Sequence, residues 1–284
     1  IKIDDSKFEG NKASGENKTG FGAVVHTQAV RGNLLDIHIN NSTFTDNVST
    51  AYGTLTFHGG GNVKVENSHF ENNVGSDGGA LHTESSPILK MDVDVDNSTF
   101  VNNTANGAPG YSGYGGAIRY HGAGTIKVNN SRFNNNKAIN VFEEDGMGGA
   151  ISIHEARFRD ENPDDNKGIQ ATLTNNVFNE NTAIYGGAVS VYDAVDLTVS
   201  GKNVFTNNKA RVHGGAIVSY TTHRTSDVDG THFINEDPSL TRISDATFTG
   251  NTAGVDMESG KGGAIYLSNE LESSTFIKDS LFDG

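Results

Sequence analysis

Two short signatures alternate along all 284 residues, and a chain that repeats itself in this way has few folds open to it. The first is Phe-x-x-Asn, at Phe8/Asn11, Phe44/Asn47, Phe70/Asn73, Phe100/Asn103, Phe133/Asn136, Phe178/Asn181, Phe205/Asn208 and Phe248/Asn251, with a ninth copy starting at Phe282. The second is Gly-Gly-Ala followed by Ile, Leu or Val, at 78–81, 115–118, 148–151, 186–189, 214–217 and 262–265. Degenerate copies stand at Phe21-Gly22-Ala23-Val24 and Tyr52-Gly53-Thr54-Leu55. Successive phenylalanines lie 36, 26, 30, 33, 45, 27, 43 and 34 residues apart. A shortest period of 26 with variable additions describes a coil of constant girth that carries loops at its corners.

Upstream of the phenylalanines the aliphatics alternate, as in Ile37-x-Ile39, Val63-x-Val65, Val93-x-Val95 and Ile126-x-Val128. Alternation of this kind marks a strand with one buried face. Helical periodicity is absent over any useful length, so short strands repeated in one direction point to a β-solenoid. The inward aliphatics then stack on their equivalents one coil away, at ~4.8 Å. The phenylalanine fills the interior just past a corner. An Asx three residues before it (Asp5, Asn41, Asn67, Asn97, Asn130, Asn175, Asp245, Asp279) suits a turn and a hydrogen-bonded ladder between coils. The glycine pair permits a close corner, and the alanine fits where backbones crowd. Nine coil starts give a rod ~40 Å long. Residues 1–284 are expected to form one such domain, read as a piece of a longer polypeptide because strand begins at the first residues and neither end carries a capping helix.

Composition supports this reading. The apolar set is 34% of residues, and 35 glycines and 32 asparagines supply the left-handed turns that a many-cornered chain needs. The absence of cysteine excludes a disulfide scaffold, thiolate metal sites and cysteine nucleophiles. A formal charge of −14 argues against nucleic acid as a partner. No stretch approaches the ~20 apolar residues of a membrane-spanning helix, so direct membrane insertion of this segment is not expected.

The alternating GGA[ILV] and FxxN motifs resemble the passenger domains of chlamydial-type polymorphic outer-membrane proteins, which are autotransporters, and the β-helix repeats of other adhesin-like surface proteins. The resemblance extends over essentially the whole chain. It implies an all-β, right-handed, pectate-lyase-like parallel β-helix of about nine coils. It also implies an extracellular, surface-displayed protein that adheres to host cells or glycans, with the mode of attachment left open.

Aligning the Gly-Gly-Ala motifs shows what varies on this frame. Four positions after the alanine stand Thr27, His58, Glu84, His121, His154, Tyr192, Tyr220 and Ser268, and two positions after it Val25, Thr56, His82, Arg119, Ser152, Ser190, Val218 and Tyr266. Planar and aromatic groups at a regular rise suit a sugar polymer, although a solvated corner would present similar residues. Two long additions, 155–170 and 221–240, flank the coil of Tyr192 and Asp193. They predict a groove lined by His154, Glu155, Arg157, Arg159, Tyr192, Asp193, Tyr220, His223 and Arg224. The expected partner is a host or matrix glycan or surface protein, with no catalytic residues and no cofactor.

Two alternatives stand beside this one. Polysaccharide lyases and hydrolases share the fold and use calcium-holding or paired carboxylates. The acidic clusters Asp92, Asp94 and Asp96, and Asp160, Glu161, Asp164 and Asp165, are the candidates for such a calcium site. A purely structural stalk is the other. Finally, His58, His82, His121 and His154 predict a surface whose charge changes near pH ~6.5.

Overall fold

The computed structural model describes the chain except for residues 16–19, 30–33, 87–88, 141–144, 156–167, 222–224, 229–230, 235–238, 256–259 and 270–273. Each full coil contributes one strand to each of four stacked sheets. Coil 2, for example, runs Leu34–Asn40, Thr43–Thr45, Val48–Ser49 and Leu55–His58, and coil 3 runs Gly60–Glu66, His69–Glu71, Val74–Gly75 and Leu81–Glu84. The first and second sheets have nine strands, the third and fourth eight, and strands follow one another in coil order throughout. Neighbouring coils pair in parallel, as Phe70 does with Phe44 and Phe100. This is the right-handed parallel β-helix of nine coils that the repeat implied. Among the described residues the one antiparallel strand pair is a hairpin, Thr225–Val228 with Thr231–Ile234, inside the second long addition, where the sequence pattern indicates only loop.

The interior is closely packed and layered. Every coil places its motif phenylalanine above the last, from Phe8 to Phe282, with ring centroids 4.7–5.1 Å apart and planes within 9°. Seven of these rings, from Phe44 to Phe248, are 0–1% exposed. Burying each one contributes about 1.5–3 kcal/mol. Aliphatics of the first and fourth sheets, such as Val63, Val93, Leu81 and Ile118, close the remaining space.

The principal asparagine ladder is not formed by the Asx upstream of each phenylalanine, as expected, but by the asparagine three residues downstream. Asn47, Asn73, Asn103, Asn136, Asn181 and Asn208 are fully buried. Each Nδ2 donates to Oδ1 of the next rung at 2.9–3.0 Å and to the phenylalanine carbonyl of the preceding coil at 2.9–3.1 Å. The upstream Asx has another task. All eight take positive φ, from 45° to 57°, to turn the corner between the first and second sheets, and they make a second, exposed set of contacts such as Asn97 Nδ2 to Asn67 Oδ1 at 2.7 Å.

Corners differ in kind. Between the second and third sheets the turn is two residues long in every coil, and between the first and second it is two residues except for coil 7. Apart from that single residue in coil 7, additions are confined to the two corners that flank the fourth sheet. The glycine pair opens that sheet: Gly148 sits at φ 66°, and a Cβ on Gly149 would meet the Gly187 carbonyl oxygen at 2.1 Å. Packing of this closeness leaves room for hydrogen alone. The fourth sheet is therefore a fixed platform framed by variable chain on both sides.

Candidate functional site

Outward positions of the fourth sheet form two columns. The outer one runs Gln28, His58, Glu84, His121, His154, Tyr192, Tyr220, Ser268, and the inner one His26, Thr56, His82, Arg119, Ser152, Ser190, Val218, Tyr266. In the first coil the expected assignment slips by one residue. Gly22, at φ 58°, takes the place of the first motif glycine, so Thr27 pairs with Phe57 and faces inward while His26 and Gln28 face out.

From Thr56 to Val218 the inner column is covered, because the chain between the third and fourth sheets folds across it, whereas His26 and Tyr266 at its ends are not buried. His82 is 1% exposed and Arg119 7%. The Tyr52 ring stacks on His82 with centroids 4.1 Å apart. Arg119 pairs with buried Asp77 at 2.8 Å and lies 5.0 Å from the Tyr114 ring.

The column has two chemically distinct halves. In the first, His58, His82 and Glu84 bring three ligand atoms within 4.8 Å of one another, and Glu84 Oε2 lies 3.7 Å from Nε2 of each histidine. Burial pushes the His82 imidazole down, His58 down to about 4 and His121 down to about 3, and the neighbouring His82 ring holds the Glu84 carboxyl low. For these three histidines this corrects the expected charge change near pH ~6.5. Imidazoles that burial keeps neutral do not charge in that range. His121 packs against His154 at 5.1 Å between ring centroids.

The second half is aromatic. A concavity of ≈ 550 Å³ lies over the fourth sheet, lined by Tyr114, Asp145, Met147, His154, Tyr185, Tyr192, His213, Tyr220, Tyr266 and Ser268. Tyr192 and Tyr220 stand one coil apart with ring centroids at 6.0 Å, and Tyr220 meets Tyr266 edge-on at 5.8 Å. Tyr185 closes on Tyr220 from the side at 6.0 Å. His154 Nε2 contacts the Asp193 carboxylate at 3.1 Å, and Tyr114 donates to Asp145 Oδ2 at 2.5 Å. Burial pushes the Tyr114 and Tyr220 hydroxyls up, so both are protonated donors at neutral pH.

Of the expected groove residues, His154, Tyr192 and Tyr220 do line one concavity. Asp193 lies beneath it, 2% exposed at φ 66°, and Glu155 ends its strand half-buried. Arg157, Arg159, His223 and Arg224 lie outside the residues whose side chains are described, as do Asp160, Glu161, Asp164 and Asp165. The described wall comes from the opposite corner to the one expected, through Tyr114, Asp145, Met147, Tyr185 and His213. Tyr114, Met147, Tyr185 and His213 each stand directly before the first glycine of Gly-Gly-Ala and follow one another in register from coil to coil, so an alignment extended one residue upstream of the motif would have found them.

The expected calcium cage of Asp92, Asp94 and Asp96 is corrected by the structure. The three alternate with buried valines along one strand, so their carboxylates are spread along its outer face instead of converging on one point. Each is engaged elsewhere. Asp92 Oδ1 accepts from the Thr125 hydroxyl at 2.7 Å, and Asp94 stands in register between Lys64 and Lys127. Asp96 turns to the corner of the next coil, where its Oδ1 accepts from Asn130 Nδ2 at 2.8 Å.

Among the described residues, no helix is long and apolar enough to cross a membrane. No curated protein and no solved structure matches the chain. One family model does, that of the Chlamydia polymorphic membrane protein (Chlamydia_PMP) repeat, over residues 204–220 and 245–268. Those stretches are the motif-bearing parts of coils 7 and 8, from Val204 to Tyr220 and from Asp245 to Ser268. In these two coils the chain is thus similar to the repeat of the Chlamydia polymorphic membrane proteins, and its stacked parallel strands fit an autotransporter-passenger-like β-helix.

Proposed function

We propose that the chain is a surface-displayed, non-enzymatic adhesive segment that binds a glycan of a host or matrix through the aromatic concavity over coils 5 to 8. One observation carries this reading: five tyrosines and two histidines converge on one open concavity built on a rigid platform. Aromatic faces stack on the apolar faces of sugar rings, and the protonated Tyr220 hydroxyl is a donor for sugar oxygens. None of the described lining residues is Lys or Arg, which favours a neutral glycan over an acidic one. Surface display is supported by the polymorphic membrane protein repeat.

A lyase reading draws support from the His154–Asp193 pair, which would orient an imidazole at the edge of the concavity. It lacks a described cation to neutralise a uronate carboxyl there. The two are separated by incubating the protein with pectin or alginate and reading the ultraviolet absorbance of unsaturated product, which the adhesive reading expects to stay flat.

The direct test is a glycan array probed with the intact chain, Tyr192→Ala and Tyr220→Ala. Loss of one stacked ring is worth about 1 kcal/mol, so binding to the hits should weaken about fivefold per substitution. Hits whose binding is unchanged in both variants, or an array without hits, would overturn the assignment.

A further inference from the structure

We propose that His58, His82 and Glu84 form a binding site for a divalent transition-metal ion of the zinc class, bridging coils 2 and 3. The argument begins with an imbalance. The His82 side chain is 1% exposed, and neither its Nδ1 nor its Nε2 has a hydrogen-bond partner among the described residues; His58 Nε2 is also buried without one. Leaving a buried polar atom unpaired costs about 1–3 kcal/mol, so two unpaired Nε2 atoms facing the same carboxylate point to a ligand that pairs with them; His82 Nδ1, on the far side of its ring, stays outside that site. Stacking of Tyr52 on His82 satisfies the ring face and fixes its orientation, but it engages neither nitrogen.

The donors already converge. Glu84 Oε2 lies 3.7 Å from both imidazole Nε2 atoms, too far for a hydrogen bond. Donors held ~2.0–2.1 Å from a tetrahedral zinc ion are about 3.4 Å apart, so the two Glu84 distances close with a few tenths of an ångström and the imidazole pair, within 4.8 Å, with at most about 1.4 Å of side-chain movement. Two imidazoles and one carboxylate select zinc or its transition-metal neighbours. Calcium and magnesium demand six or more oxygens. The nearby Arg119 guanidinium would oppose a cation, but it is neutralised by Asp77 at 2.8 Å. Glu84 and His58 keep 37% and 18% side-chain exposure, so ions have an approach from solvent and the fourth position faces outward.

Because His58 belongs to coil 2 and the other two ligands to coil 3, a bound ion cross-links neighbouring coils, which gives the test a stability readout. The intact chain, stripped with EDTA and dialysed, is titrated with Zn²⁺ against a chromophoric chelator, and separately with Co²⁺ while its visible spectrum is followed. The expected result is one saturable equivalent, intense four-coordinate Co²⁺ bands, and a rise in Tm with Zn²⁺ but not with Ca²⁺. His82→Gln, His58→Gln and Glu84→Gln should each weaken Zn²⁺ binding at least about tenfold and remove the Tm rise. Should the buried His82→Gln variant fail to fold, the two more exposed variants decide, with far-UV circular dichroism confirming their fold. Zn²⁺ affinity unchanged in both of those, or no Zn²⁺ binding by the native sequence, would overturn the assignment.

Discussion

Replacing Asn103 by alanine should destabilise the rod by about 2–5 kcal/mol. Its side chain sits mid-ladder, fully buried, and makes four contacts. Oδ1 accepts from the Asn73 backbone N–H at 3.1 Å and from Asn73 Nδ2 at 2.9 Å, and Nδ2 donates to the Phe70 carbonyl and to Asn136 Oδ1, both at 3.0 Å. Alanine leaves the Asn73 N–H with no acceptor in a buried turn, which costs about 1–3 kcal/mol, and each further lost bond adds about 1 kcal/mol or less. Aspartate is the sharper probe. It keeps the shape, loses both donors, and sets carboxylate oxygens against the Phe70 carbonyl and Asn136 Oδ1, so Asn103→Asp should be worse than Asn103→Ala. Equilibrium urea unfolding followed by far-UV circular dichroism gives the comparison. The control is Asn179→Ala, whose amide reaches Asn134 Oδ1 at 2.7 Å on a half-exposed face and should change stability by about 0.5 kcal/mol or less. If Asn103→Ala matches that control, or if aspartate is tolerated better than alanine, the ladder does not hold the coils as argued.

Other expectations concern backbone and charge. Gly149→Ala should prevent coils 5 and 6 from closing, whereas Gly10→Ala, at φ 66° with nothing within 4 Å of its Cβ, should cost only the ~1–2 kcal/mol of a left-handed alanine; thermal melts of the two distinguish crowding from strain. Glu180 holds φ 56° at a corner where coils 2 to 5 and 7 place Asp or Asn, so Glu180→Asn should raise stability by up to about 1 kcal/mol in the same melts. The His58 and His121 values lie below the ordinary 6.5, so the unfolded chain binds protons first as pH falls. Stability present above pH ~6.5 should therefore decline towards pH ~4, by up to about 1.4 kcal/mol per pH unit for each histidine. Urea midpoints taken in EDTA across that window should show the decline, and His121→Gln should flatten it; a level profile would contradict buried neutral imidazoles.

The fold was legible because its two signatures report on geometry that admits few residues. A ring stacked every ~4.8 Å must be aromatic, and a corner whose Cβ would strike the next coil must be glycine. The ladder was legible too, though it was assigned to the wrong rung. The downstream position is asparagine in all eight complete copies, whereas the upstream one is Asn in five, Asp in two and Lys202 in the seventh. A rung that must both donate to one neighbour and accept from the other requires an amide every time, and aspartate cannot donate. The one-residue slip at coil 1 arose because Ala23 was matched to the motif alanine, when the positive φ of Gly22 sets the frame. The acidic run misled for a related reason. Alternation put Asp92, Asp94 and Asp96 on one face, but residues two apart on a strand lie ~6.6 Å from each other, too far to share one ion without a turn to bend them together.

The concavity was half legible. His154, Tyr192 and Tyr220 follow the Gly-Gly-Ala motif and were aligned, whereas Tyr114 and Tyr185 come from the corner before it, one residue ahead of the first glycine, on the side the alignment left out. Burial of the inner column depends on chain crossing over it from that same corner, so the histidines looked exposed in a pattern that records only which way a side chain leaves its strand.

Confinement of irregular length to the two corners beside the fourth sheet divides the molecule's tolerance for change. An insertion at Asn135-Asn136 would cut the amide ladder and offset the phenylalanine pile in every later coil. One placed between Tyr192 and Val195 would shift neither register. The proposed ligand preference can thus drift, or be rewritten by grafting foreign peptides at this edge, while the spine that folds the chain is left untouched.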